Sequence, residues 1–248
     1  MGIASRLIFA VSLLVWLPAA RGEEEALTLY GYARPPFLYE EDGQIRGLLV
    51  SPVERAMRSA GIPFTWKVLP FSRAQVAVRD DREKACAVGW YWSAERADYA
   101  QFSRVFYSGQ AMVAVVRSDM PAAEPITIRE FLRAPGLRMV EKQDLYLGVY
   151  VHIAVEEMLP KTQIFRTPVG ISLILKMIES NRGDVTIVPK EEMDYLLGTE
   201  FTDGKLRILT FSDVPGTEGR HLMCSKSVPA DWMSRIDAAI SAESKVPR

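Results

Sequence analysis

Apolar and polar positions along the chain change period repeatedly, and each change predicts an element. Residues 27–32 form a short apolar run that reads as a strand, ended by Pro35 and Pro36. A turn follows at Asp42 and Gly43. The period then lengthens: Val53, Ala56, Met57 and Ala60 recur at helical spacing, and Gly61 stops the helix. Ser51, Pro52 and Glu54 give that helix a start signal, with a hydroxyl N-cap, proline at the first helical position and a carboxylate three residues after the cap. Residues 64–69 read as the next strand. Ser72 with Gln75 repeats the capping pattern for a helix through about Val78. Residues 85–90 and 110–117 are further strands.

A loop rich in proline and alanine, 119–125, separates this unit from a second one of similar size. Thr127 and Glu130 cap a short helix. Strands are expected at 137–141, 163–166 and 184–188, each followed by a helix, at 148–158, 171–178 and 190–197. Strands at 205–211 and 221–225 and a helix at 230–240 complete the chain, and only the last few residues read as disordered. Alternating strands and helices predict α/β units with mostly parallel sheets. Two such units imply a cleft between them, where ligand sites tend to lie at the carboxyl ends of strands.

The first 22 residues change the picture of where the protein works. Arg6, an apolar run at 7–17 and the small residues up to Gly22 have the form of a secretory signal peptide. The run is shorter than the roughly 20 residues that span a bilayer. Cleavage after Ala20 or Gly22 predicts a periplasmic protein, with no membrane insertion afterwards. No cysteine stands nearby to carry a lipid. Removing Arg6 and Arg21 takes the formal charge from −1 to −3, and no basic block of the nucleic-acid-binding kind is present. His152 and His221 are too few for a typical zinc site, so neither a metal nor a cofactor is implied.

Further motifs carry a family resemblance. Arg34-Pro35-Pro36-Phe37, Gly43 with Gly47, Ser93-Ala94-Glu95-Arg96, Phe102-Ser103, Val105-Phe106-Tyr107 and Gly183-Asp184-Val185 stand in the order found in family 3 solute-binding proteins of ABC importers. The chain resembles that family over essentially all of its mature length. The resemblance implies a two-lobed periplasmic binding protein type II fold with two hinge crossings, near Gly109 and near Gly219. The first lobe would comprise 23–112 plus 217–248, and the second 113–216. It also implies that Cys86 and Cys224 lie on adjacent strands of the first lobe. Export to an oxidising compartment then favours a disulfide between them, with two buried thiols as the alternative.

The resemblance makes Arg96 the residue that would grip a ligand carboxylate, since a planar fork of donors pairs two oxygens at once. The bland alternative is a surface arginine paired with Glu95 or Asp98. Phe71 would stack on the ligand or fill the core. Tyr32 and Arg34 match positions at the cleft mouth, and Arg73 is a further cation that either joins them or faces solvent. Trp90 and Trp92, with Tyr91 between them, stand where amino-acid binders carry small hydroxyl residues. Alternation would send some of these rings to the core and some to the cleft. Thr167 and Ser172 precede a helix and would offer second-lobe contacts or ordinary capping. A carboxylate that holds a ligand ammonium is missing from its usual place, where Pro189 and Lys190 stand. Glu191 is the nearest substitute.

The function expected is capture of a small molecule, carboxylate-bearing and either aromatic or not, by a monomer that serves an ABC permease. A binding protein is expected, and not an enzyme. The alternatives are an accessory or sensor protein of the same fold working with a membrane sensor, and a periplasmic enzyme resembling dehydratases.

Overall fold

The computed structural model describes residues 26–122, 124–143 and 145–243. The signal-peptide reading and the expectation of disorder in the last few residues fall outside the described residues. The first part of the chain forms β1 (Leu27–Gly31), a hairpin of β2 (Tyr39–Glu41) and β3 (Gln44–Arg46), α1 (Val50–Ser59), β4 (Phe64–Val68), α2 (Phe71–Asp80), β5 (Ala85–Trp90), α3 (Ala94–Tyr99), β6 (Ala100–Phe102) and β7 (Tyr107–Ser108). The next part forms β8 (Met112–Arg117), α4 (Ile128–Leu132), β9 (Met139–Lys142), α5 (Val149–Met158), β10 (Ile164–Thr167), α6 (Ile171–Glu179), β11 (Val185–Pro189), α7 (Lys190–Thr199) and β12 (Leu206–Leu209). The chain closes with β13 (Gly219–Ser225) and α8 (Ala230–Glu243). Among the described residues no helix is long and apolar enough to cross a membrane.

These strands build two sheets. One has the order β4-β1-β5-β13-β6, with β7 paired to β13, and the other β10-β9-β11-β8-β12. The first three strands of each order run parallel, and the returning strands β13 and β8 run antiparallel to their neighbours. Both faces of each sheet are covered. Cys86, Val88, Leu222 and Cys224 pack towards α1 and α8, while Ala85, Ala87 and Met223 pack towards α2. In β8, Met112, Ala114 and Val116 face one cluster and Val113 and Val115 the other, the period of two that a strand imposes.

The chain crosses between the sheets twice, from β7 to β8 and from β12 to β13. The two crossings run side by side. Gly219 pairs with Ser108, and Ala111 bridges Gly216. Cys86 and Cys224 are opposed partners on β5 and β13 and form a disulfide. It joins the last strand of the chain to the centre of the first sheet and leaves both crossings free.

Two predicted caps are corrected. α1 starts at Val50, ahead of Ser51, and its N-cap Leu49 makes no side-chain cap. The backbone sets this start, because the amides of Leu48 and Leu49 donate to the carbonyls of Pro36 and Phe37. α2 likewise starts at Phe71 with Pro70 as its N-cap, and Gln75 Nε2 donates to Tyr99 Oη instead of reaching back to the helix start. The third cap forms as expected, with Thr127 and Glu130 bonded reciprocally.

Candidate functional site

The carboxyl ends of β1, β4 and β5 face the ends of β9 and β10 across a cavity of about 910 Å³. Short loops leaving those strands, with α3 and β13, present Tyr32, Arg34, Phe71, Trp90, Arg96 and Arg220 from the first lobe. The second lobe presents Lys142, Tyr146, Ser172, Glu192, Tyr195 and Glu200.

Gly89 decides which way the aromatic run points. It has φ of +85°, and the β5–β13 register slips there, so that Val88 pairs with Leu222 but Trp90 with His221. The extra residue is a β-bulge. It reverses the alternation, so Trp90 joins the face of Ala85 and Ala87. There its ring stacks on Phe71 with centroids 4.2 Å apart and planes 11° apart. Phe71 therefore spends a face on Trp90, and Tyr32 meets its ring edge-on at 5.2 Å.

Arg96 lies over Trp90, 5.0 Å from the ring centroid, and its Nη1 donates to the carbonyl of Tyr91. No carboxylate among the described residues lies within ion-pair distance of it, neither Glu95 nor Asp98 included. The Ser93 hydroxyl caps α3 by accepting from the Arg96 amide, which fixes the arginine in the first turn.

Arg34 does not stand free at the cleft mouth. Its Nε and Nη2 donate to the two oxygens of Glu192 at 3.1 and 2.6 Å, a fork-on-carboxylate pair that spans the cleft. Burial disfavours the charge on Arg34, but Glu192 and Tyr32 together outweigh that and raise its pKa. Burial also opposes ionisation of Tyr32, yet Arg34 and Arg220 together bring the phenol below its ordinary value. Two ring pairs cross the cleft as well, Tyr39 with Tyr195 at 6.3 Å and Tyr91 with Tyr146 at 5.1 Å. Burial and a hydrogen bond to Glu218 push the Tyr146 phenol up to about 12.

Several candidates sit elsewhere. Trp92 is exposed and does not line the cavity. Thr167 is buried, its hydroxyl accepting from the Val169 amide. Arg73 borders an outer groove along α2. Ser172 does face the cavity, but Gly170 is the N-cap of α6. The hydroxyl of Ser172, with Lys176, holds the Glu200 carboxyl below its ordinary value. The substitute carboxylate is corrected too. Glu191 turns into the hinge, where its Oε1 accepts from Tyr107 Oη and the Gln110 amide. Its neighbour Glu192 reaches the cleft. Arg220 had no signal in the sequence beyond its place in β13.

The family model described as bacterial extracellular solute-binding proteins, family 3, matches residues 29–241. The chain belongs to that family. No curated protein sequence matches it. Among solved structures, this family member is similar to the arginine-, lysine-, histidine-binding protein ArtJ from Geobacillus stearothermophilus, at 15% identity and TM-score 0.65 over 88% of each chain. It is also similar to the BvgS VFT2 domain of Bordetella pertussis, at 16% identity and TM-score 0.69, over 89% of this chain and 88% of that one. A histidine kinase sensor domain with similarity to periplasmic binding proteins matches at 17% identity and TM-score 0.66, over 90% and 92%. At these identities the likeness is one of fold, the two-lobed fold of periplasmic binding proteins.

Proposed function

We propose that the mature chain is a periplasmic solute-binding protein that captures a small carboxylate with a flat or aromatic body between its lobes, for an ABC importer. The lobes are 23–112 with 217–248, and 113–216. They close about the paired crossings at Gly109–Ala111 and Gly216–Gly219. The observation that carries the reading is Arg96: a guanidinium with no acidic partner among the described residues, laid over Trp90 and facing the cavity. Its fork of donors matches a carboxylate, and Phe71, Trp90 and Tyr32 make an apolar wall beside it. Contacts made by the ligand to both lobes would favour the closed arrangement by population shift.

A second reading, a sensor module for a membrane signalling protein, has one observation in its favour. The Arg34–Glu192 pair joins the lobes with the chain's own atoms. Such a module would report on changes in closure and would need no permease.

The test of capture is a thermal-shift screen of the mature protein against aliphatic and aromatic carboxylates, followed by calorimetry. A ligand at a hundred times its dissociation constant should add about 2.7 kcal/mol of stability. Arg96→Ala should lower the affinity at least tenfold, about 1.4 kcal/mol. A folded Arg96→Ala protein that binds unchanged would remove the carboxylate reading.

A further inference from the structure

The charges left over inside the cleft narrow the ligand class, on the reading of the cleft as a carboxylate site. Among the described residues, its two acidic side chains are already occupied. Both oxygens of Glu192 are bound by Arg34, and Glu200 pairs with Lys176 at 3.0 Å. Neither is left to receive a ligand ammonium.

The cations are not balanced in the same way. Arg220 is 3% exposed and lines the cavity. Its Nη1 donates to the Gly89 carbonyl at 3.0 Å, and its Nε has no hydrogen-bond partner. The guanidinium lies between two rings, 4.6 Å from the centroid of Phe37 and 4.7 Å from that of Tyr91. No carboxylate among the described residues is within ion-pair distance of it. Rings soften the cost of burying a guanidinium but do not neutralise its charge. Burial opposes ionisation of the nearby Tyr32 phenol, but Arg34 first and Arg220 next bring it below its ordinary value. From the second lobe, Lys142 faces the same cavity, again with no acidic partner among the described residues.

Arg96 and Arg220 are anchored close together. One is bonded to the carbonyl of Tyr91 and the other to that of Gly89. Two residues of chain separate those carbonyls, so they lie no more than about 7 Å apart. Both guanidiniums therefore stand at the same end of β5 and line one cavity, within reach of a single small ligand with two anionic groups.

We propose that the cleft takes a small organic dicarboxylate without an ammonium group. One carboxylate sits on Arg96, the second on Arg220, and Lys142 closes on the ligand from the other lobe. The Arg34–Glu192 pair stays intact beside it and keeps Glu192 from selecting an amino acid.

Calorimetry on the mature protein with matched probes tests this. The pairs are glutarate against valerate and isophthalate against benzoate, with glutamate and phenylalanine as ammonium-bearing controls. At least one dicarboxylate should bind ten times more tightly than its monocarboxylate partner and more tightly than either amino acid. Arg220→Gln should shrink that preference to threefold or less, whereas Arg96→Gln should weaken both members of the pair. Should Arg220→Gln fail to fold, Arg220→Lys and Lys142→Gln carry the same test, each expected to cut dicarboxylate affinity and spare the monocarboxylate. Equal affinity within both pairs, a preference that survives these variants, or glutamate binding above glutarate overturns the dicarboxylate assignment and leaves carboxylate capture standing. Absence of binding by every probe overturns both.

Discussion

Gly109 sits where the two crossings press together, and the space around it has room only for hydrogen. A Cβ there would come within 2.6 Å of Thr217 Oγ1 and 2.7 Å of Glu191 Oε1. Glu191 cannot retreat freely, since it is held by Tyr107 Oη and the Gln110 amide. Overpacking of this kind costs about 1–3 kcal/mol, so Gly109→Ala should lower the denaturation midpoint. Gly198, in α7, has no atom within 4 Å of the same added carbon. Gly198→Ala should leave stability unchanged or raise it by up to about 1 kcal/mol through helix propensity. Chemical denaturation of both variants decides it, and equal losses would remove the packing argument. The same hinge shows what single residues conceal in sequence. Glu191 and Glu192 are adjacent letters, but one residue of helix turns the side chain by about 100°. One enters the hinge and the other the cleft, and the letters do not say which. Arg96 was legible because a motif surrounds it. Arg220 was not, because its meaning comes from Phe37, Gly89 and Tyr91, all distant in the chain.

The longer strands and helices were readable from period and punctuation, with ends shifted by one to three residues, whereas the short elements β2, β3, α3, β6 and β7 were not read. The failures have local causes. Ser51 and Ser72 carry cap signals, yet the helices begin two residues earlier than those caps predict, at Val50 and Phe71, where backbone contacts of the preceding loop fix the entry. Simple alternation would have put Trp90 on the face of Cys86 and Val88, and the bulge at Gly89 reverses it. The motif Gly183-Asp184-Val185, read only as a family mark, has a physical role. Asp184 accepts from the backbone amide, Nε and Nη2 of Arg138, all at 2.8–2.9 Å, and so ties the start of β11 to that of β9. Arg138 side-chain bonds are the main cause that holds the Asp184 carboxyl below its ordinary value. A carboxyl depressed on folding stabilises the fold above its unfolded pKa, near 4, and loses that contribution as pH falls through its lower folded value. Asp184→Asn should cost about 1–2 kcal/mol at neutral pH, discounted because Arg138 is half exposed. The deficit relative to wild type should shrink as the pH drops below about 4. Urea midpoints measured from pH 7 to pH 3 check this. A deficit that stays constant over that range would show that the carboxylate charge is not what matters.

At the scale of the whole molecule, motif order was enough to place two lobes, two crossings and the Cys86–Cys224 bridge. It gave no hint of what holds the lobes together, because the partners are far apart in sequence and come from different lobes. Arg34 and Glu192 form that contact with side-chain exposures of 13% and 5%, and the ring pairs Tyr39–Tyr195 and Tyr91–Tyr146 support it. Removing one member of a buried pair inside a rigid core strands a charge and costs about 3–5 kcal/mol of folding stability. Here the lobes can part and let water reach the remaining charge. The loss should therefore appear as opening of the cleft, not as unfolding. If the pair favours closure by only about 1.4 kcal/mol, losing it shifts the open-to-closed ratio about tenfold. Glu192→Gln should raise the radius of gyration in small-angle scattering while the denaturation midpoint moves little. Arg34→Met should do the same. The double variant Arg34→Met/Glu192→Met replaces the pair with apolar contact and should recover part of the compact form. Scattering curves for Glu192→Gln and wild type that superimpose would show that the rings and the hinge, not the ion pair, set the closure of this protein.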